Sequence, residues 1–235
     1  MELELEHRPE LLLLDAGDTI IFLDPGAVAA ALADQGLEVD AGAIGRALHP
    51  AKRRYQQHLT EGRGHEDGWS VLVGNMLEGA GVAPARIPGL LPGLRAAHDD
   101  FYFWRSVPEG LVPAMERAKA GGIRLGIISN SEGRLSHVLE RIGIRRHFEH
   151  VIDSHIEGVD KPDPAIFRLA LERHGVAADR AVYAGDIPEV DVFGSRAVGM
   201  QGALIDAWDD HANRDDVPRF RSVEDLIDNL LTLPS

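Results

Sequence analysis

The 235-residue chain contains no cysteine, which excludes disulfides, thiolate metal sites and a cysteine nucleophile but does not indicate a compartment. Lysine is scarce too: Lys52, Lys119 and Lys161 stand against 21 arginines, so each lysine merits inspection. No stretch approaches the roughly 20 consecutive apolar residues of a membrane helix. The opening Met-Glu-Leu-Glu-Leu-Glu is acidic and lacks the basic region and apolar run of a secretory signal. A cytoplasmic protein is expected. Internal repeats and low-complexity segments are also missing. At a formal net charge of −14, neither a nucleic-acid backbone nor a membrane is expected as partner, because anionic surfaces repel the chain. A small anionic substrate stays compatible, since one divalent cation inverts the local field.

What is present begins with Leu11-Leu12-Leu13-Leu14-Asp15-Ala16-Gly17-Asp18-Thr19-Ile20. Four leucines running directly into carboxylates read as a strand buried on both faces that ends in a polar site. Pro25-Gly26 marks a turn. From there to Trp104 helical spacing dominates, over Ala27 to Ala33, Ile44 to Leu59, Trp69 to Leu77 and Leu90 to Trp104. This stretch predicts a helical insertion of about 80 residues, the size of a small separate module.

From Val107 strands and helices alternate. Helices are predicted over Glu109 to Ala120, Glu132 to Ile142, Ala165 to His174, Asp191 to Val198 and Val223 to Leu231. Strands fall at Ile123 to Ile128, His150 to Asp153, Ala181 to Ala184 and Gln201 to Ile205. Such alternation implies βαβ units, and hence a Rossmann-like α/β fold: a parallel sheet with helices on both faces. Residues 1–24 and 106–235 form this core, and 25–105 the inserted helical domain.

A parallel sheet brings its strand ends to one edge, where ligands bind. Strand one ends in Asp15, the Ile123 strand in Ser129-Asn130-Ser131 and the Ala181 strand in Gly185-Asp186. Between the last two lies Gly158-Val159-Asp160-Lys161-Pro162-Asp163-Pro164. An aspartate, a hydroxyl, an ammonium group and further carboxylates should therefore share one crevice. As turn residues, Asp163 would cap and Pro164 begin the following helix.

These four segments, in this order, resemble the motifs of the haloacid dehalogenase superfamily, with Lys161-Pro162-Asp163-Pro164 and Gly185-Asp186-x4-Asp191 the most specific. The insertion looks like the family's class I cap. The resemblance implies a Mg²⁺-dependent phosphatase of a small phosphorylated molecule, with Asp15 as nucleophile and Ser129, Asn130 and Lys161 holding the phosphoryl group. It further implies that Asp15, the Gly17 carbonyl, Asp186 and Asp191 serve the metal, Asp191 by holding its waters or positioning Asp186. A monomer or homodimer is expected.

One position departs from the pattern. The family's phosphatases carry a second aspartate two residues after the nucleophile, where this chain has Gly17, and Thr19 sets the register so that Asp18 does not replace it. Loss of that general acid and base costs about 10²- to 10⁴-fold. Alternatives that also lack the second aspartate are carbon–halogen cleavage, which needs no metal, and phosphonate cleavage through an insertion lysine, for which only Lys52 is available. A non-catalytic phosphate-sensing or regulatory protein is a further alternative. In the insertion, Arg53, Arg54, His65 and Trp69 are candidate substrate contacts, although Trp69, at helical spacing with Val71 and Leu72, fits a core better than a binding surface; Tyr102, Trp104 and Arg105 are expected to pack a hinge formed by Pro25-Gly26 and Ser106-Val107-Pro108.

Overall fold

The computed structural model describes residues 3–60 and 68–234. The chain separates into two compact units, Met1–Phe22 with Arg105–Ser235, and Leu23–Trp104.

The first unit is built on a parallel sheet. Its strands are β1 (Leu11–Leu14), β4 (Arg124–Ser129), β5 (Val151–Asp153), β6 (Ala181–Gly185), β7 (Gln201–Ile205) and β8 (Arg219–Phe220), in the order β5-β4-β1-β6-β7-β8. Strand β1 is central, with Leu14 in register with Ile127 of β4 and Ala184 of β6. The chain builds outward from β1 to β4 and β5, then crosses to β6, so the order reverses beside β1. In such sheets the ligand crevice opens at that reversal, at the carboxyl ends of the strands.

All four leucines of β1 are fully buried, as a strand covered on both faces requires. Leu11 and Leu13 join Phe167, Ala170 and Tyr183 in one apolar cluster, against helix α8 (Pro164–His174). Alternation along the strand sends Leu12 and Leu14 to the opposite face. Helices α5 (Leu111–Ala120) and α10 (Val223–Leu231) bury apolar stripes and are joined by an Arg117–Asp228 ion pair of 2.7 Å.

The second unit is helical: α1 (Pro25–Ala33), α2 (Ala41–Thr60), α3 (Gly68–Gly79) and α4 (Ile87–Asp100). Leu32, Ile44, Val73, Met76 and Leu94 lie in its own core. A two-stranded ribbon, β2 (Phe22–Leu23) with β3 (Trp104–Ser106), marks where the chain passes into and out of the unit.

Several boundaries differ from expectation for local reasons. Pro25-Gly26 begins a helix, because the Asp24 side chain accepts from Ala27 N at 3.1 Å and proline suits the first helical position. The helix expected to reach Trp104 stops at Asp100, where Phe101 turns extended (φ −152°), and Trp104 enters β3. Helix α6 (Leu135–Arg141) starts three residues after Glu132 because the buried Asp153 carboxylate at the end of β5 accepts from Gly133 N and Leu135 N. Around Asp191 the chain makes a wide π turn, Pro188–Val192, before the short helix α9 (Phe193–Arg196). Two-residue β2 and β8 and the one-turn helix α7 (Ser154–Glu157) are too short to produce a periodic signal.

Candidate active site

The site is organised by the Lys161 ammonium group. It donates to Asp15 Oδ1 at 2.7 Å, to Tyr183 Oη at 2.8 Å and to Asp191 Oδ1 at 2.8 Å. An ammonium has three N–H donors, so all of them are engaged. The Lys161 side chain is 3% exposed and that of Asp191 1%. Burial opposes charge on Lys161, yet Asp15 and Asp191 outweigh it and raise its pKa above the ordinary lysine value. Burial pushes the Asp191 carboxyl upward, against the pull of Lys161. The arrangement is a cation held between two carboxylates in a water-poor setting, where each partner is needed to offset the desolvation of the others.

Strand ends deliver these groups. Asp15 follows β1, and its N–H donates to Ala184 O of β6 at 2.8 Å. Tyr183 sits in mid-β6, its ring edge-on to Phe167 of α8 (centroids 5.2 Å, 87°), and its hydroxyl donates to the Ile128 carbonyl at 2.8 Å. Burial, reinforced by Asp191 and Asp15, keeps the Tyr183 phenol protonated well beyond the usual range. Asp191 Oδ2 accepts from Ile187 N at 2.9 Å, closing the turn after β6. That turn needs Gly185: a Cβ there would overlap the Asp191 carboxylate.

Asp15, Asp186 and Asp191 each offer a carboxylate oxygen within 4.8 Å of the others. An all-oxygen set of this kind suits a hard divalent cation such as Mg²⁺, which keeps several waters. Asp15 and Asp186 fit it best, since both oxygens of Asp191 already accept hydrogen bonds. Gly17 lies in a bridge with Ile21 and offers only its carbonyl. Asp18 is buried and adopts a left-handed backbone (φ 56°), which is uncommon for any residue with a Cβ.

Ser129 is buried at the end of β4. The Asn130 side chain clamps the Lys161 backbone: its Nδ2 donates to Lys161 O at 2.9 Å and its Oδ1 accepts from Lys161 N at 2.7 Å. This amide clamp fixes the backbone that carries the ammonium. After Ser129 the chain runs on as a loop, with Ser131 N donating to Ser154 Oγ at 3.2 Å. Tyr183, Asp153 and this clamp are the parts that sequence reasoning missed. Tyr183 left one signal, a single hydroxyl in an apolar strand, since a buried tyrosine needs a hydrogen-bond partner.

Candidates in the helical unit are scattered. Lys52 and Trp69 are half-buried and Arg53 and Arg54 exposed. Trp69 packs on that unit's core with Arg95 over its ring at 5.3 Å. Tyr102 stacks on the buried His98 (4.5 Å, 11°). Trp104 meets the same imidazole edge-on at 6.3 Å. His65 lies outside the described residues.

Comparison with known proteins agrees with this geometry. The haloacid dehalogenase-like hydrolase family matches residues 9–199. Haloacid dehalogenase-like hydrolase domain-containing protein 3 of Bos taurus is 35% identical over 228 residues, covering 91% of this chain and 90% of that protein. A glyceraldehyde 3-phosphate phosphatase of Pyrococcus abyssi is 40% identical over 112 residues, 46% of each chain. The magnesium-bound HAD-hydrolase YfnB of Bacillus subtilis shares the fold with a TM-score of 0.73 at 21% identity, over 95% of this chain and 99% of that one. A carboxylate at the end of the central strand, a buried lysine bonded to it and a third strand end carrying two more carboxylates, on a chain so matched, place this protein in the haloacid dehalogenase-like hydrolase family.

Proposed function

We propose that the protein is a Mg²⁺-dependent phosphohydrolase of a small phosphorylated molecule and works through an aspartyl-phosphate at Asp15. The observation that carries this reading is the Asp15–Lys161 contact of 2.7 Å beside Asp186 and Asp191. A carboxylate with a fixed cation on one side and metal-ligand oxygens on the other is equipped to approach an anionic phosphorus centre. The phosphatase among the relatives adds support.

An Asp15 oxygen attacks phosphorus, the bond to the leaving oxygen breaks, and the leaving group departs with the electron pair. Water then attacks the acyl phosphate, releasing inorganic phosphate and regenerating the Asp15 carboxylate. Asp15 and Asp186 would hold Mg²⁺, which would supply positive charge to offset the negative charge of the phosphoryl group. Lys161 holds the Asp15 carboxylate in place, and Ser129 donates its hydroxyl to a phosphoryl oxygen. Asn130 and Tyr183 position Lys161, and Asp191 anchors it from the opposite side. Gly17 brings no proton to the leaving oxygen, so leaving groups stable as anions react fastest.

The test is hydrolysis of p-nitrophenyl phosphate with and without Mg²⁺, together with trapping of a hydroxylamine-sensitive phosphoprotein. Both signals should require Mg²⁺ and vanish in Asp15→Asn. Turnover that survives Asp15→Asn refutes the nucleophile.

A further inference from the structure

The loop that leaves β4 and the turn that carries Lys161 are joined at two places. One is the Asn130 clamp on the Lys161 backbone. The other lies just past β5 and is made by a single residue, Ser154, which is 3% exposed. Its hydroxyl oxygen accepts from Ser131 N at 3.2 Å, and its carbonyl accepts from Gly158 N at 2.8 Å and Val159 N at 3.3 Å. Together the two junctions close a ring, with Asn130 and Ser131 on one side, Ser154 at the base and the chain from Gly158 to Lys161 on the other.

The stretches flanking this ring are held in turn. Ser129 stands in register with Asp153 of β5. The buried Asp153 carboxylate accepts from Gly133 N at 3.0 Å and Leu135 N at 3.2 Å. Gly133 has a left-handed backbone (φ 86°), and a Cβ there would run into the His155 ring, so the loop lies directly on the start of α7. Between the ladder at Ser129 and that anchored stretch, the Ser131–Ser154 bond sets where Asn130 stands. Asn130 in turn sets the Lys161 backbone, and Lys161 Nζ reaches Asp15 at 2.7 Å. Reacting groups stay in productive geometry only when the hydrogen bonds behind them are fixed.

We propose that Ser154 is a positioning residue for the reaction at Asp15: its hydroxyl fixes the loop of Asn130 against the turn of Lys161 and so holds the ammonium group on the attacking carboxylate. The inference rests on the phosphohydrolase reading and adds to it a residue that acts through Asn130 and Lys161.

Two measurements on the full chain test this, amide hydrogen exchange followed by NMR and steady-state hydrolysis of p-nitrophenyl phosphate with Mg²⁺. In Ser154→Ala the Ser131 and Lys161 amides should exchange about two- to tenfold faster, the range of one hydrogen bond, while the amides of β7 keep their wild-type rates. Its kcat should fall about tenfold, with a smaller change in KM. Adding Ser154→Ala to Asn130→Ala should cost no further kcat, because the clamp through which Ser154 acts is already gone. Wild-type exchange at Lys161, a kcat within about twofold of wild type or losses that multiply in the double variant overturn the positioning role. Faster exchange throughout, β7 included, also overturns it, because Ser154 then serves general stability. A wild type that does not hydrolyse p-nitrophenyl phosphate overturns the phosphohydrolase reading, and the role of Ser154 in catalysis with it.

Discussion

Replacing Lys161 by methionine tests the physical basis of the site most directly. The ammonium group bridges Asp15 and Asp191 at 2.7 and 2.8 Å, with its side chain 3% exposed. Methionine fills much of the lysine stem's volume, so the loss is chiefly electrostatic. Two carboxylates remain facing each other without a cation, and removing one partner of a buried pair costs about 3–5 kcal/mol. That is a change of more than about a hundredfold in the folding equilibrium. Urea unfolding can be followed through Trp208, since Trp69 and Trp104 belong to the other unit. The loss should be greatest at pH 7 and should shrink toward pH 5. Without the cation the folded-state pKa of Asp191, already raised by burial, rises further, so the variant's folded state takes up a proton before its unfolded chain does and is relatively stabilised as pH falls. Asp191→Asn added to Lys161→Met should recover a large part of the loss. A deficit under about 1 kcal/mol at pH 7, or one indifferent to both pH and Asp191→Asn, refutes the reasoning.

Gly185→Ala forces a Cβ into the Asp191 carboxylate and should lower p-nitrophenyl phosphate turnover at least about tenfold by displacing the Lys161 anchor; wild-type turnover would contradict this packing argument. Gly17→Asp should speed alkyl phosphate hydrolysis by about 10²-fold or more, and aryl phosphate hydrolysis less, as measured by kcat for each. No gain with either substrate would show that a carboxylate at this position cannot serve as acid. The buried His174 donates its Nδ1–H to the Ala170 carbonyl at 2.7 Å, and burial lowers its pKa. Below its ordinary value of about 6.5 the unfolded chain takes up a proton that the folded chain resists, so stability should fall as the pH drops below that point. His174→Leu should flatten this part of the stability–pH curve; an unchanged slope would assign the titration elsewhere.

Much of the architecture was legible in local patterns. Four consecutive leucines are accommodated by a strand with both faces covered, and strict alternation of helix and strand leaves few sheets other than a parallel one. Asp15, Ser129, Lys161 and Asp186 could be singled out because each stands at the end of an apolar strand or within a Pro-rich turn, and parallel strands send their carboxyl ends to one edge. Short elements were not legible. Two-residue β2 and β8 carry no periodicity, and the start of α6 depends on Asp153, which is 18 residues away from Leu135 in the chain.

By itself, then, the order of residues determined the fold class, the edge at which polar groups gather and the identity of the lysine, because these follow from periodicity and from the scarcity of one residue type. Only the tertiary structure decided what each group touches. Asn130 holds the Lys161 backbone, Tyr183 supplies the third partner of the ammonium, and Asp191 closes the turn after β6 while anchoring that same lysine. Such roles are set by distances between strands far apart in sequence, and a buried charge takes whichever partners the packed sheet brings within about 3 Å.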